Sequence, residues 1–144
     1  MSEYKIELKI NNEKHTVDIN GQVFDILQNN VDTLDKRQEM TDYFNKYKTN
    51  PDLMNDVSAV TDMINRVAES IEDVIGKGAI NKIMNGKKMS VSVGLKLMAE
   101  LYRVVDGIEI AKMKKAEKEI EEYNEKTKNP AGTEKQTHPL TAEA

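Results

Sequence analysis

The N-terminal part of the chain alternates apolar and polar side chains with a period of two. Apolar residues stand at positions 4, 6, 8 and 10, and the alternation resumes over residues 15–19. Strands with one buried face show this pattern. The intervening Asn-Asn-Glu-Lys has turn chemistry, because asparagine tolerates left-handed backbone. The pattern therefore predicts a β-hairpin over residues 4–19, closed by the Asn-Gly pair that follows.

From residue 22 onward, the spacing of apolar residues changes to three and four, as in amphipathic helices. Asn-Pro at 50–51 is a helix start, and Ser90 is a candidate N-cap for the longest helix. Gly76 and the Asn-Gly pair at 85–86 are breaks. These signals predict helices over residues 22–48, 51–75, 79–84 and 91–125.

The expected fold class is α+β and mostly α, with an N-terminal β-hairpin, an amphipathic helical domain and a long C-terminal helix. A chain of 144 residues suits one domain, expected over residues 1–128. Residues 129–144 hold two of the three prolines and few apolar side chains, so we expect a disordered tail there.

Composition excludes several classes of protein. No apolar run approaches the roughly 18 residues of a membrane span, and the start of the chain lacks the features of a secretory signal, so we expect no membrane contact. The absence of cysteine removes disulfides and thiolate metal sites. A net charge of −4 argues against a general nucleic-acid binder.

The sequence offers no candidate catalytic residue. It has two histidines, and His15 lies in phase with a predicted strand, so a packing role is expected. The segment GKGAINKIMNGKK is rich in glycine and lysine, but the spacing G-x-x-x-x-G-K-[ST] is absent. We therefore expect a non-enzymatic protein without a metal ion or cofactor.

Charge changes sign between two consecutive segments. Residues 52–75 carry six acidic side chains and one arginine, a net −5, whereas residues 76–103 carry six basic side chains and one glutamate, a net +5. Antiparallel neighbours within one fold would pair these charges, setting register more than stability. Alternatively, the two faces meet between subunits, and such a head-to-tail contact propagates into a ring or a helical array.

Methionine and aliphatic residues concentrate around the second break. They could fill an irregular core near a turn, or line a groove for an amphipathic helix, since methionine adapts to varied apolar partners. Lysines beside them could attract an acidic partner. The candidate partner-binding residues are Ile80, Ile83, Met84, Met89, Leu95 and Met98, with Lys82, Lys87 and Lys88.

Two stretches, YKIELKINNEKHTVDI and IEDVIGKGAINKIMNGKKMSVSVGLKLMAEL, resemble small tail assembly chaperones of tailed phages and prophages of Gram-positive bacteria. In that family an acidic helix ends in an Ile-Asp-Ile-Phe-Gly-type phrase, followed by a short Lys-Ile-Phe piece and a glycine-basic turn. The matching positions here are Ile71, Asp73, Ile75, Gly76, Gly78, Lys82, Ile83, Gly86 and Lys87. Ile75 and Met84 stand where phenylalanine is expected, and the charged extension after Ala111 is longer than the pattern.

The resemblance implies a protein that binds the helical tape-measure protein, or tail-tube subunits, and self-associates in the cytoplasm of the bacterial host. The main alternative is a small phage-encoded regulatory or inhibitory protein that binds one host protein. A nucleic-acid binder using the basic segment would lose affinity steeply with salt. That class is disfavoured, because Tyr102 is the one aromatic residue near those lysines.

Overall fold

The computed structural model describes residues 3–8 and 13–127. It confirms an α+β fold that is mostly α: a two-stranded antiparallel hairpin precedes the helices. The elements are β1 (Thr16–Ile19), β2 (Gln22–Asp25), α1 (Asn30–Thr49), a 3-10 helix (Pro51–Asn55), α2 (Val57–Ile75), α3 (Ala79–Met84) and α4 (Val91–Lys126).

The hairpin lies further along the chain than the alternation predicts. Asn20 and Gly21 have φ values of 53° and 86°, so they form the two-residue turn between β1 and β2. The Asp18 carboxylate fixes this turn by accepting a hydrogen bond from the Gly21 amide at 2.8 Å. Asn-Gly is a strong hairpin turn signal because both positions need positive φ.

Two predictions at this end of the chain are therefore wrong. Residues 3–8 form no strand, and the apolar side chains at positions 4, 6 and 8 are exposed. Of the predicted Asn-Asn-Glu-Lys turn over residues 11–14, the first two residues lie outside the described part of the chain. The predicted helix over residues 22–48 begins at Asn30 instead, because Gln22–Asp25 pairs with Thr16–Ile19. The predicted tail, residues 129–144, also lies outside the described part.

Helix α1 begins where a capping box forms. The Asn29 side chain accepts from the Asp32 amide at 2.8 Å, and the Asp32 carboxylate accepts from the Asn29 amide at 2.9 Å. This reciprocal pair satisfies two amides that the first helical turn leaves unpaired. The helix ends at Thr49, before Asn50-Pro51, because a residue preceding proline disfavours helical backbone.

Short-range signals also set the later helix boundaries. The predicted helix over residues 51–75 is divided, because Pro51–Asn55 is a 3-10 helix and α2 begins only at Val57. Asp56 caps α2 by accepting from the Ser58 amide at 2.9 Å. Gly76, at φ 108°, ends α2. Ser90 caps α4 as the sequence predicts, accepting from the Val93 amide at 3.2 Å. Helix α4 then runs for 36 residues.

The core is centred on α2. Val67 and Ile71 are fully buried, and they pack in one cluster with Leu101 and Val105 of α4 and with Phe24 of the hairpin. Burying a side chain of this size contributes about 1.5–3 kcal/mol. The packing of α2 on α4 through apolar faces is thus the main determinant of the fold.

Hydrogen bonds attach the hairpin to the helices. The Leu27 amide donates to the Val74 carbonyl at 2.7 Å, and the Gln22 side chain donates to the Lys82 carbonyl at 2.9 Å. A lone hairpin is only marginally stable in water, so these contacts and the buried Phe24 hold it in place.

Polar contacts position α1 against the other two long helices. Arg37 pairs with Asp106 of α4, and its guanidinium carbon lies 4.4 Å from the centre of the Tyr102 ring. On α2, Asp62 accepts from the Tyr43 hydroxyl at 2.7 Å and pairs with Arg66, which also stacks on the Tyr43 ring at 4.4 Å. These contacts fix both sides of the groove described next.

Candidate functional site: an apolar groove between helices

An open groove lies between α1, the 3-10 helix and the first three turns of α4. It encloses about 670 Å³, within the usual range of ligand pockets. Met40 of α1 and Met63 of α2 form its buried floor. Its lining is mainly apolar: Met40, Phe44, Tyr47, Met54, Met63, Val91, Leu95, Met98, Ala99 and Tyr102, with Thr41 and Asn45.

Each wall follows from helical periodicity. On α1, Met40, Phe44 and Tyr47 are four and three residues apart, so they share one face. On α4, Leu95, Met98 and Tyr102 are three and four residues apart and also share one face. The 3-10 helix lies in the connection between α1 and α2, beside the groove. Its Met54 side chain is 44% exposed and lies at the groove rim.

Two charged side chains line the groove in the described part of the chain, and both are cationic. Lys48 is exposed on α1. Arg37 is held by Asp106 and by the Tyr102 ring, and its hydrogen bonds keep the pKa of the Asp106 carboxyl below its usual value. Because Asp106 already pairs with Arg37, the groove favours an apolar occupant with negative charge beside Lys48.

Behind the groove, Tyr43 is buried and part of a hydrogen-bonded network. Its hydroxyl lies 2.7 Å from the Asp62 carboxylate and 3.0 Å from the Tyr47 hydroxyl. Burial first, and then these hydrogen bonds, raise the pKa of Tyr43 well above its usual value. Tyr43 thus stays protonated at neutral pH and supports the groove wall as a neutral hydrogen-bond donor.

The groove contains two of the residues predicted to bind a partner, Leu95 and Met98. Met89 is 5% exposed and packs in the core, as do the half-buried Ile80, Ile83 and Met84 at its margin. Lys82, Lys87 and Lys88 are exposed and do not line the groove. The structure thus separates the predicted set into groove, core and surface positions.

Sequence reasoning missed the α1 wall and the floor. The signal was present in the spacing of Met40, Phe44 and Tyr47, but this spacing does not show which helix the three side chains face. Met63 was also missed, because nothing in the α2 sequence indicates that this buried side chain borders a groove.

The opposite charges of residues 52–75 and 76–103 do not pair with each other. Within residues 3–8 and 13–127, no ion pair joins the two segments. Asp62 pairs with Arg66 of its own helix, and Glu69 pairs with Lys36 of α1. Charge pairing within one chain therefore does not explain the inversion.

Across residues 3–8 and 13–127, no three His, Asp or Glu side chains lie close enough together to hold a metal ion. His15 is half-buried with Nε2 3.4 Å from a carboxylate oxygen of Glu13. Over the same residues, no helix has the length and apolar content of a membrane span.

Residues 15–139 match a family of unknown function, DUF6673. The chain belongs to this family. The match begins immediately before β1 and includes all four α-helices, so the groove lies wholly inside the family region, whereas residues 3–8 lie outside it. No curated protein and no solved structure shows a significant match.

Proposed function

We propose that the protein is a non-enzymatic binding protein whose groove receives an amphipathic helix of another protein. The observation that carries this proposal is the open apolar groove, which is walled by α1 and α4 and has methionines on its floor and rim. Helices that bind such grooves insert apolar residues spaced by three, four and seven. Methionine lets one groove accept several related helices.

The proposed partner is the tape-measure protein of a phage or prophage tail, bound in the cytoplasm of the bacterial host during tail assembly. This choice rests on the resemblance of the N-terminal stretch and of residues 71–101 to tail assembly chaperones. A long helical protein with apolar stripes presents many segments of the kind that the groove fits. Covering those stripes would keep the partner soluble until tail-tube subunits arrive.

The test uses fluorescein-labelled peptides that cover the tape-measure protein encoded with this chain, with fluorescence anisotropy as the readout. At least one amphipathic segment should bind saturably, and a scrambled peptide of equal composition should not. A double variant, Met54→Gln with Met98→Gln, should weaken binding about tenfold or more, because buried apolar anchors dominate such interfaces.

Val93→Gln is the matched control. Val93 is 46% exposed, close to the 44% of Met54, and it does not line the groove. Equal binding by the groove variant and this control would contradict the proposed site. If no tape-measure segment binds but a helix from one host protein does, and Met98→Gln weakens it, the regulatory or inhibitory function is the correct one.

A further inference from the structure

The distal half of α4 carries a second apolar surface whose side chains are largely exposed. Met113, Ile120 and Tyr123 are 53%, 38% and 64% exposed, and Ala116 lies between them. Their spacing of three, four and three places all four on one side of the helix. We call these four residues the distal stripe.

The charges beside the C-terminal half of the distal stripe, around Ile120 and Tyr123, are mostly negative, whereas lysines at 112, 114 and 115 adjoin Met113. Residues 117–125 contain five glutamates and one lysine. The charged residues of the groove lining, Arg37 and Lys48, are positive. The C-terminal half of the stripe therefore combines two properties that suit the groove: apolar side chains at helical spacing and acidic flanks that can lie beside Lys48.

The stripe cannot reach the groove of its own chain. Met98 in the groove wall and Ile120 in the stripe belong to the same continuous helix, α4. A rise of 1.5 Å per residue separates them by about 33 Å along that helix. Any contact between stripe and groove must therefore join two copies of the protein.

We propose that the distal stripe of one copy binds in the groove of a second copy. Because the two surfaces differ, each copy offers one free groove and one free stripe, and association continues head to tail. This inference rests on the proposed function, since it concerns the same groove and gives it a regulatory role. A copy bound in the groove excludes the partner helix, so the partner must displace it.

The first test is the molar mass of the full chain, measured by light scattering after size exclusion over a wide range of concentration. The mass should increase with concentration, and high salt should reduce the increase, because the flanking charges are exposed. Ile120→Gln with Tyr123→Gln should abolish the increase. A mass that stays monomeric for the unmodified chain at every concentration overturns the proposal.

Lys118→Gln with Glu122→Gln is the matched control. Both residues are exposed and, at 100° per residue, face away from the stripe. Like the stripe variant, the control leaves the net charge unchanged and keeps a good helix former at each position. It should associate like the unmodified chain, and loss of association in both variants would contradict a specific role of the stripe.

Mixing two variants tests the head-to-tail geometry. The Met54→Gln/Met98→Gln variant keeps its stripe, and the Ile120→Gln/Tyr123→Gln variant keeps its groove. Each alone should be monomeric, whereas the mixture should form a 1:1 dimer and nothing larger. No dimer in the mixture, with both variants folded by circular dichroism, overturns the proposed contact.

A labelled peptide of residues 110–126 separates this inference from the proposed function. It should bind the full-length stripe variant, whose groove is free, and a tape-measure peptide should displace it. If the 110–126 peptide fails to bind while tape-measure peptides bind, the self-association is wrong and the proposed function stands. If the 110–126 peptide binds but no tape-measure peptide does, the tail function is wrong and the self-association stands.

Discussion

The Asp106 carboxylate accepts two hydrogen bonds from the Arg37 guanidinium, at 3.0 Å to Nη1 and 2.7 Å to Nη2. The two residues are 69 positions apart, and their pairing joins α1 to α4 beside the groove. A bidentate pair of this kind fixes orientation as well as distance. It therefore sets how far apart the two walls of the groove stand.

Asp106→Asn should lower the free energy of unfolding at pH 7 by about 0.5–1 kcal/mol, a figure appropriate to a partly exposed ion pair. Arg37 lowers the pKa of the Asp106 carboxyl in the folded state. The ion pair therefore contributes to the free energy of unfolding above the unfolded pKa of about 3.9, and this contribution is lost as pH falls through the lower folded pKa. Urea unfolding at pH 7, 4 and 3 should show that the free energies of unfolding of the variant and of the unmodified chain become equal in acid.

Gly94→Ala should destabilise the protein by about 1 kcal/mol. A Cβ on Gly94 would lie 2.8 Å from Val67 Cγ1 and 2.8 Å from Met89 Cε. The flexible methionine can move, but the β-branched valine is stiff, and overpacking costs about 1–3 kcal/mol against the roughly 1 kcal/mol that alanine gains in a helix.

Gly107→Ala on the same helix is the control for this substitution. Beyond its chain neighbours and the nearby backbone of α4, no atom lies within 4 Å of a Cβ at Gly107, so only the helix propensity changes. It should raise the midpoint of urea unfolding, whereas Gly94→Ala should lower it. A similar increase of the unfolding midpoint in both variants would show that α2 and α4 do not approach as closely as described.

Tyr43 should make stability fall at alkaline pH. Its folded pKa is raised, so its contribution is complete below the unfolded value of about 10 and is lost as pH rises through the folded value. Tyr43→Phe should cost about 1–2 kcal/mol at pH 7, because it removes a hydrogen bond to a carboxylate. Between pH 7 and pH 11, the midpoint of thermal unfolding should fall less in the variant than in the unmodified chain.

Gly21→Ala should destabilise the hairpin by about 1–2 kcal/mol, because Gly21 has a φ of 86°, where a side chain is strained. Asn20→Gly, at the other turn position, should be nearly neutral since glycine adopts positive φ freely. Amide hydrogen exchange of residues 16–25 measures the effect. Equal protection in both variants would argue that the hairpin is held by Phe24 rather than by its turn.

Sequence signals located the helices better than the strands, and the reason is local. Gly76 and Ser90 act on the backbone within a few residues, so the end of α2 and the start of α4 do not depend on distant packing. Pro51 instead begins a 3-10 helix, and α2 starts six residues later, at Val57. The alternation over residues 4–19 predicts a hairpin that the Asn20-Gly21 pair merely closes, whereas in the structure this pair is itself the hairpin turn. The structure has the pairing set by the Asn-Gly turn, with Phe24 buried and residues 3–8 unpaired.

The groove was only partly visible in the sequence. Leu95 and Met98 were predicted as binding residues from their place after the second break, and both line the groove. The facing wall comes from α1, which Arg37 and Tyr43 attach to α4 and α2. Contacts between residues so far apart have no local signature, so periodicity could not show which helices would stand opposite each other.

The length of α4 has a consequence for the head-to-tail assembly proposed above. Because one uninterrupted helix contains both the groove wall and the distal stripe, the distance from each copy to the next depends on a count of residues, not on a loop. Inserting seven residues after Ala111 would turn the stripe by only about 20° and lengthen the helix by about 10.5 Å. We expect the repeat distance of the assembly to change with it, so that α4 sets the periodicity of the array.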